Sequence, residues 1–234
     1  MSNYLFNRQA LKAFAKNKIS ITNFFLVVLI VWFIPYIVDY VPSFQYEYAI
    51  DIFGLHLSYS GVTVFAFILT YIIPLVLRYW MVSYSLYVTK TEGEVMDSLK
   101  FAKTLDISHL FNFMIKKLVV DIAVTAGVIL FIVPGIYLAL TFAQTEYIAV
   151  EHPELSIIDT MKLSDHLMSG YRFSYFVMIL SFLGWSLLSS FTFGILGFYL
   201  IPYMELTYAS FYYALIRDIP DHVDTVLKTN SSLV

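Results

Sequence analysis

Four ionisable side chains lie within long apolar stretches of the sequence: Arg78, Asp121, Glu146 and Glu205. A charged group is expensive to bury in hydrocarbon or in a dry protein core, so these residues are candidates for a functional site or for ion pairing. If the stretches cross a membrane, all four residues lie in its cytoplasmic half or near its middle. The sequence predicts a polar cluster in which Arg78 forms a salt bridge with Glu205 or Asp121.

Three uses of this polar cluster remain open. It could join helices through buried ion pairs, which is the simplest use. It could instead line a polar cavity, open to the cytoplasm, that binds an ion, a lipid headgroup or a small anion. The third use is proton coupling through one of the acids.

Prolines recur in similar apolar surroundings, in IPYIVDY, IPLVLRY, VPGIYLA and IPYMELT. Proline lacks a backbone donor and kinks or ends helices, and the carbonyl freed one turn earlier can line a polar site. We interpret the similarity as independent kinks rather than as the duplicated broken helices of a transporter. The predicted helix breaks are Pro35, Pro74, Pro134, Gly135 and Pro202.

Sequence motifs for catalysis and for metal binding are absent. The chain has no cysteine, its five histidines form no metal-binding motif, and it contains no nucleophile elbow or phosphate-binding glycine loop. Its net charge of -3 provides no positive field for nucleic acid. The prediction is a protein that is not an enzyme and has no catalytic residues, metal, cofactor or nucleic-acid partner.

The composition indicates a membrane protein. Hydrophobic residues make up 59% of the 234 residues and charged residues 13%, against about 25% charged residues in soluble domains. A soluble protein of this composition could not cover its surface, so a bilayer is the expected solvent. The predicted fold is all-α, polytopic, with about six transmembrane helices and amphipathic helices on the cytoplasmic face. The candidate spans are residues 21–38, 62–84, 118–133, 135–150, 173–190 and 195–215.

The third and fourth candidate spans are short. Each has about sixteen residues and would reach only about 24 Å, less than the roughly 30 Å of a bilayer core. They could form a hairpin that does not fully cross, or helices extended by amphipathic turns on the cytoplasmic side. The sequence HLFNFMIKK before the third span favours the extension.

The distribution of positive charge predicts the orientation. All 14 Lys and Arg residues lie before the first span, within the second, in the segments 85–117 and 151–172, or after the sixth. The positive-inside rule therefore places both termini and both segments in the cytoplasm. The chain is predicted to form one membrane domain, 1–234, with an amphipathic helix at 1–18, a bundle at 19–217 and a tail at 218–234.

Three inner segments have amphipathic patterns. SNYLFNRQALKAFAKNK has apolar residues at helical spacing, with Arg8, Lys12 and Lys16 on other faces. A basic amphipathic helix before a span is typical of one lying in the membrane interface, as an orienting anchor or as a site of lipid recognition. We expect the inner segments 85–117 and 151–172 to pack against the inner ends of the spans, and Gly170 to end a helix.

Between residues 132 and 215, the order and spacing of several residues are similar to those of a known family. After Pro134 and Gly135, the matching positions are Ser164, Gly170, Trp185, Gly194 and Tyr203. The chain resembles bacterial integral-membrane proteins of domain-of-unknown-function family 975. The resemblance implies a multi-pass protein of the bacterial cytoplasmic membrane and supplies no reaction.

These observations lead to two functional hypotheses. The first is a non-enzymatic membrane protein that interacts with membrane lipids, with another membrane protein or with a second copy of itself. The alternative is a small transporter or permease with a polar intramembrane site around Arg78 and Glu205. An intramembrane enzyme is disfavoured because no nucleophile and base occur at motif spacing.

Overall fold

The computed structural model describes residues 8–18, 45–52, 55–62, 72–91, 98–192 and 195–218. The described helices are α1 (Arg8–Lys18), α2 (Ile73–Lys90), α3 (Ser98–Ala102), α4 (Ile107–Leu130), α5 (Ile132–Thr141), α6 (Thr145–Glu151), α7 (Ile157–Met168), α8 (Arg172–Phe191) and α9 (Gly197–Asp218). The strands are β1 (Gln45–Ile52) and β2 (Leu55–Val62). The first predicted span, Pro35, Gly194 and residues 219–234 lie outside the described residues.

The helical architecture agrees with the all-α prediction, and the hairpin is an addition to it. β1 pairs with β2 in antiparallel register, from Gln45 opposite Val62 to Ile52 opposite Leu55. The alternation of polar and apolar residues in QYEYAIDI is a strand signal, and it lies between the first two candidate spans, where no strand was predicted. The predicted second span began at Val62, but this residue ends β2, and α2 begins at Ile73.

Helix α4 is longer than the third predicted span. Its 24 residues extend over about 36 Å. The helix begins at Ile107, where Asp106 caps it by accepting a hydrogen bond of 2.9 Å from the backbone N–H of Ser108. This bond lowers the pKa of the Asp106 carboxyl. For the third span, the structure supports the helix extended on its N-terminal side. The fourth predicted span, 135–150, is instead divided between α5 and α6.

Helices α5 and α6 return along α4, and the reversal occurs one turn earlier than predicted. Phe131 has extended backbone angles (φ -158°, ψ 138°) and separates α4 from α5. Pro134 is therefore not the turn. It lies in the first turn of α5, where the missing N–H has no helical acceptor. Gly135 is also inside α5, and its role is the close approach of α5 to Val128 on α4.

The other predicted helix breaks also require correction. Pro74 lies at the start of α2, where proline is favoured. Pro202 lies inside α9, which continues through it from Gly197 to Asp218. The expected end of a helix at Gly170 is present, because α7 stops at Met168 and Gly170 adopts a positive φ of 84°.

Helix α1 packs against α9 through the buried residues Leu11 and Ala15. The Nζ atom of Lys12 lies 4.0 Å from the centre of the Phe182 ring on α8, a cation–π contact. Burial lowers the pKa of the Lys12 ammonium, and the nearby positive charge of Arg8 lowers it further. The basic N-terminal helix is thus docked on the bundle by one apolar edge.

Burial divides the described bundle into two parts. Helices α2, α6 and α7 and the C-terminal half of α9 form a well-packed part that contains residues such as Tyr84, Ile148, Leu167 and Phe211. The turn from α4 to α5 and the second half of α8 instead expose large apolar side chains. Within the described residues, α8 is the helix that is long and apolar enough to cross a membrane, with a mean hydropathy of 1.5. The six-span topology stays a prediction.

Candidate functional site

Three helices bring Arg78, Glu146 and Glu205 together. The guanidinium of Arg78 on α2 donates from Nε to Glu146 Oε2 on α6 over 2.6 Å. Its Nη1 donates to Glu205 Oε1 on α9 over 2.5 Å. The expected salt bridge between Arg78 and Glu205 is therefore present. The planar guanidinium suits this role because it presents several donors in a fixed geometry to two carboxylates at once.

Lys117 on α4 extends these contacts into a chain of ion pairs. Its Nζ lies 2.9 Å from Glu146 Oε1 and 2.9 Å from Asp121 Oδ1. We call the five residues Glu205, Arg78, Glu146, Lys117 and Asp121 the ion network. Asp121 joins it through Lys117, and the direct pairing with Arg78 that we predicted as an alternative does not form.

Lys117 was missed as a site residue because it was counted with the cytoplasmic loop. The predicted third span began at residue 118, one position too late to include it. The signal was available, since Lys117 and Asp121 are four residues apart and therefore share a face of any helix.

The three carboxylates of the ion network become more exposed in the order Glu205, Glu146 and Asp121. The side chain of Glu205 is 10% exposed, that of Glu146 is 18% exposed and that of Asp121 is 53% exposed. The network contains three carboxylates and two cations, so its formal charge is negative by one. The charges of Glu205, Arg78, Glu146 and Lys117 balance, and these four side chains are between 10% and 29% exposed. The excess negative charge lies with Asp121, where solvent can stabilise it.

Tyrosine and phenylalanine rings surround the dry end of the ion network. Tyr147 on α6 stacks on Tyr212 of α9 with ring centres 5.4 Å apart. Tyr175 on α8 lies 5.1 Å from the ring of Phe211. This apolar wall shields the Glu205 carboxylate from water and so strengthens its electrostatic interaction with Arg78. In the described part of the chain, the buried Tyr147 hydroxyl and Glu205 Oε2 have no hydrogen-bond partner.

A cavity of about 470 Å³ lies beside the wet end of the ion network, between α4, α5 and the start of α6. Its polar lining comes from Asp121, Glu146, Thr125 and Thr145. Carboxylate and hydroxyl oxygens in such a cavity can bind water or a small cation. The ion network therefore has one buried end, at Glu205, and one end that lines a cavity, at Asp121.

The loop between α6 and α7 is held against α4 by hydrogen bonds. Lys116 is 2% exposed, and its ammonium donates to the carbonyls of His152 and Pro153, each over 3.3 Å. The side-chain amide of Asn112 also donates to the Pro153 carbonyl. Burial lowers the pKa of the Lys116 ammonium. These contacts agree with the expectation that the segment 151–172 packs against the bundle.

Two of the motif residues that carried the family resemblance, Ser164 and Tyr203, connect helices of the bundle. Ser164 donates to the Thr141 carbonyl over 2.8 Å and accepts from the Gln144 N–H over 3.3 Å, so it holds the break between α5 and α6. Tyr203 packs edge-on against Phe182 with ring centres 5.4 Å apart. Trp185 is 53% exposed on the apolar face of α8. None of these residues contributes to the ion network.

No group of three or more His, Cys, Asp or Glu side chains in the described ranges is arranged to hold a metal ion. The described site consists of paired acids and bases, with no nucleophile and base identified in contact. The absence of enzymatic activity and of a cofactor stays a prediction.

The fold and the site define a class of protein: a helical bundle that encloses a chain of ion pairs and exposes apolar helix ends. The chain belongs to the family described as protein of unknown function DUF975, which matches residues 62–218. The resemblance found between residues 132 and 215 is thereby confirmed. Comparison with curated proteins and with solved structures gave no match.

Proposed function

We propose that this protein is a multi-pass protein of the bacterial cytoplasmic membrane with six spans and both termini in the cytoplasm. It acts without catalysis, by binding membrane lipids and a membrane-protein partner or a second copy of itself. The ion network joins α2, α4, α6 and α9 within the membrane. The observation that carries this proposal is the run of exposed apolar residues at positions 128–133, whose exposure ranges from 46% to 79%.

An exposed apolar surface of this kind requires an apolar environment. Removing apolar surface from water contributes about 25 cal/mol per Å², and soluble proteins rarely expose long contiguous apolar patches. Phe191 and Ile195 form a second exposed apolar turn, 82% and 73% exposed, where α8 leads to α9. Residues 122–145 and 173–204, which contain the two turns, include no Asp, Glu, Lys or Arg. Both turns are therefore suited to the outer surface of the cytoplasmic membrane.

The orientation can be tested by cysteine labelling, because the chain contains no native cysteine. In Val133→Cys, the new thiol lies at the apolar turn after α4 and should react with a membrane-impermeant maleimide in intact spheroplasts. In Lys162→Cys, the thiol lies at an exposed position of α7 and should react only after the membrane is permeabilised. Labelling is read as a mass shift on denaturing gels.

The unsubstituted protein is the control for this experiment and should take up no label. Labelling of Lys162→Cys in intact spheroplasts would contradict the proposed orientation. Release of the protein from membranes by alkaline carbonate would contradict integral insertion. These two results address separate parts of the proposal.

The second candidate function is a small transporter, and the cavity beside Asp121 and Glu146 favours it. An ion entering this cavity would meet the carboxylate that carries the excess negative charge of the ion network. The cavity is lined by the carboxylates of Asp121 and Glu146 and by threonine hydroxyl groups. These oxygen atoms are the groups that a binding site for a proton or a monovalent cation requires.

Proton transport can be measured in proteoliposomes that contain the pH-sensitive dye pyranine. If the protein is a proton transporter, an imposed pH gradient should collapse faster than in empty liposomes. Asp121→Asn should abolish this difference, because the exposed carboxylate can no longer exchange protons. Lys162→Gln is the matched control and should behave as the unsubstituted protein. Equal rates with and without protein would exclude proton transport.

A further inference from the structure

A groove of about 520 Å³ lies between α1, the end of α2 and the last turns of α9. Its lining combines apolar and basic side chains. The principal apolar residues are Leu11, Phe14 and Ala214, and the basic residues are Lys18, Lys90 and Arg217. A groove with these two kinds of lining matches an amphiphilic ligand with a negative headgroup.

The charge of this groove is of one sign, since no acidic residue is among those that line it. Lys90 is compensated by an ion pair with Glu151. Lys18 donates to the backbone carbonyl of Thr91. Because a carbonyl carries no net charge, this contact does not neutralise the Lys18 ammonium. The Arg217 guanidinium lies 6.0 Å from the Tyr213 ring, and none of the salt bridges within the described residues includes it. Two cations are therefore available to an anion in the groove.

The groove lies at the end of the bundle that is opposite the exposed apolar turn of α8 and α9. Arg217 is twenty residues beyond Gly197, the first residue of α9, which corresponds to about 30 Å along the helix. α2 and α9 both end near the groove, and α1 ends there with Lys18 bonded to Thr91. In the proposed topology this end of the bundle faces the cytoplasm, and the inner leaflet carries anionic lipids.

We propose that the groove binds an anionic phospholipid of the inner leaflet, with its phosphate held by Arg217 and Lys18 and its first acyl carbons packed on Leu11, Phe14 and Ala214. The guanidinium of Arg217 can donate two parallel hydrogen bonds to phosphate oxygens, and Lys18 adds a point charge. This inference rests on the proposed membrane location.

The test is a titration of the detergent-purified protein with dioctanoyl phosphatidylglycerol while its thermal unfolding is followed. Dioctanoyl phosphatidylcholine and inorganic phosphate are the comparison ligands. The anionic lipid should stabilise the protein at lower concentration than the zwitterionic lipid. A basic side chain near an anionic headgroup contributes about 1 kcal/mol, so Arg217→Gln should raise the half-effective concentration about fivefold. Adding Lys18→Gln should raise it about 25-fold in total.

Lys162→Gln removes an exposed positive charge on α7, outside the groove, and is the matched control. It should leave the lipid response unchanged. Circular dichroism establishes that the variants are folded. If Arg217→Gln and the double variant respond to phosphatidylglycerol as the unsubstituted protein does, the groove is not the lipid site. An equal response to inorganic phosphate would overturn the lipid assignment, because the apolar lining of the groove would then contribute nothing.

The labelling experiment separates this inference from the proposed function. Arg217→Gln is therefore also made in the Val133→Cys and Lys162→Cys proteins. If labelling stays as expected and the lipid response of Arg217→Gln is unaltered, only the groove assignment is overturned. A labelling pattern that contradicts the membrane topology overturns the proposed function and, with it, the argument that this end of the bundle meets the inner leaflet.

Discussion

Replacing Arg78 with methionine should lower the free energy of unfolding by about 3–5 kcal/mol, the range found when one partner of a buried pair is removed. Arg78 is the only described partner of Glu205 and one of two cationic partners of Glu146. Methionine preserves much of the apolar volume but leaves the Glu205 carboxylate, 10% exposed, without a counter-charge. The loss is measured by reversible unfolding in mixed detergent micelles.

Further variants distinguish lost charge from lost packing at Arg78. Lys162→Met, on the exposed side of α7, is the control for replacing a cation with methionine and should have little effect. The triple variant Arg78→Met with Glu146→Gln and Glu205→Gln should recover most of the stability, because no uncompensated charge then remains near Arg78. If the triple variant is no more stable than Arg78→Met, the ion network does not stabilise the fold in the way described.

Arg78→Lys addresses the geometry rather than the charge. An ammonium at this position keeps the positive charge but lacks the two separated donors, Nε and Nη1, that now reach different carboxylates. We expect a smaller loss than for methionine. A charge swap of Arg78 with Glu205 should not restore stability, since the new carboxylate at position 78 would face Glu146.

The sequence predicted the members of the ion network better than their connections. Arg78, Glu146 and Glu205 were identifiable because a charge in an apolar stretch requires compensation, and this reasoning does not depend on the fold. The route from Asp121 through Lys117 depends on where α4 begins and on how α6 packs against it. A hydropathy boundary that is wrong by one residue removed Lys117 from the predicted site.

The helix ends were harder to predict because the same residues serve different purposes. Pro134 and Gly135 have the composition of a turn, yet both lie within α5. The turn occurs at Phe131, whose side chain carries no turn signal, because the extended backbone there is accessible to any residue. The hairpin at 45–62 was missed because the composition of the whole chain favoured helices and its alternating pattern is short.

The contact between Gly135 and α4 gives the second large expected effect. A Cβ atom at position 135 would lie 2.6 Å from both Cα and N of Val128, and still closer to the Val128 side chain. Backbone atoms cannot rotate away, so α5 must move away from α4. Overpacking of this kind costs about 3 kcal/mol, against a gain of about 1 kcal/mol from the higher helix propensity of alanine. We therefore expect Gly135→Ala to lose about 2 kcal/mol of unfolding free energy.

Gly184→Ala on α8 is the matched control, because nothing lies within 4 Å of the added Cβ atom. It should be neutral or gain about 0.5–1 kcal/mol from helix propensity. In the Gly135→Ala background, Val128→Ala should recover only a small part of the loss, since the Cα and N atoms of residue 128 remain in place. Full recovery would locate the strain in the Val128 side chain. Equal stability of Gly135→Ala and Gly184→Ala would show that α4 and α5 can separate without cost, so that Gly135 is not needed for their contact.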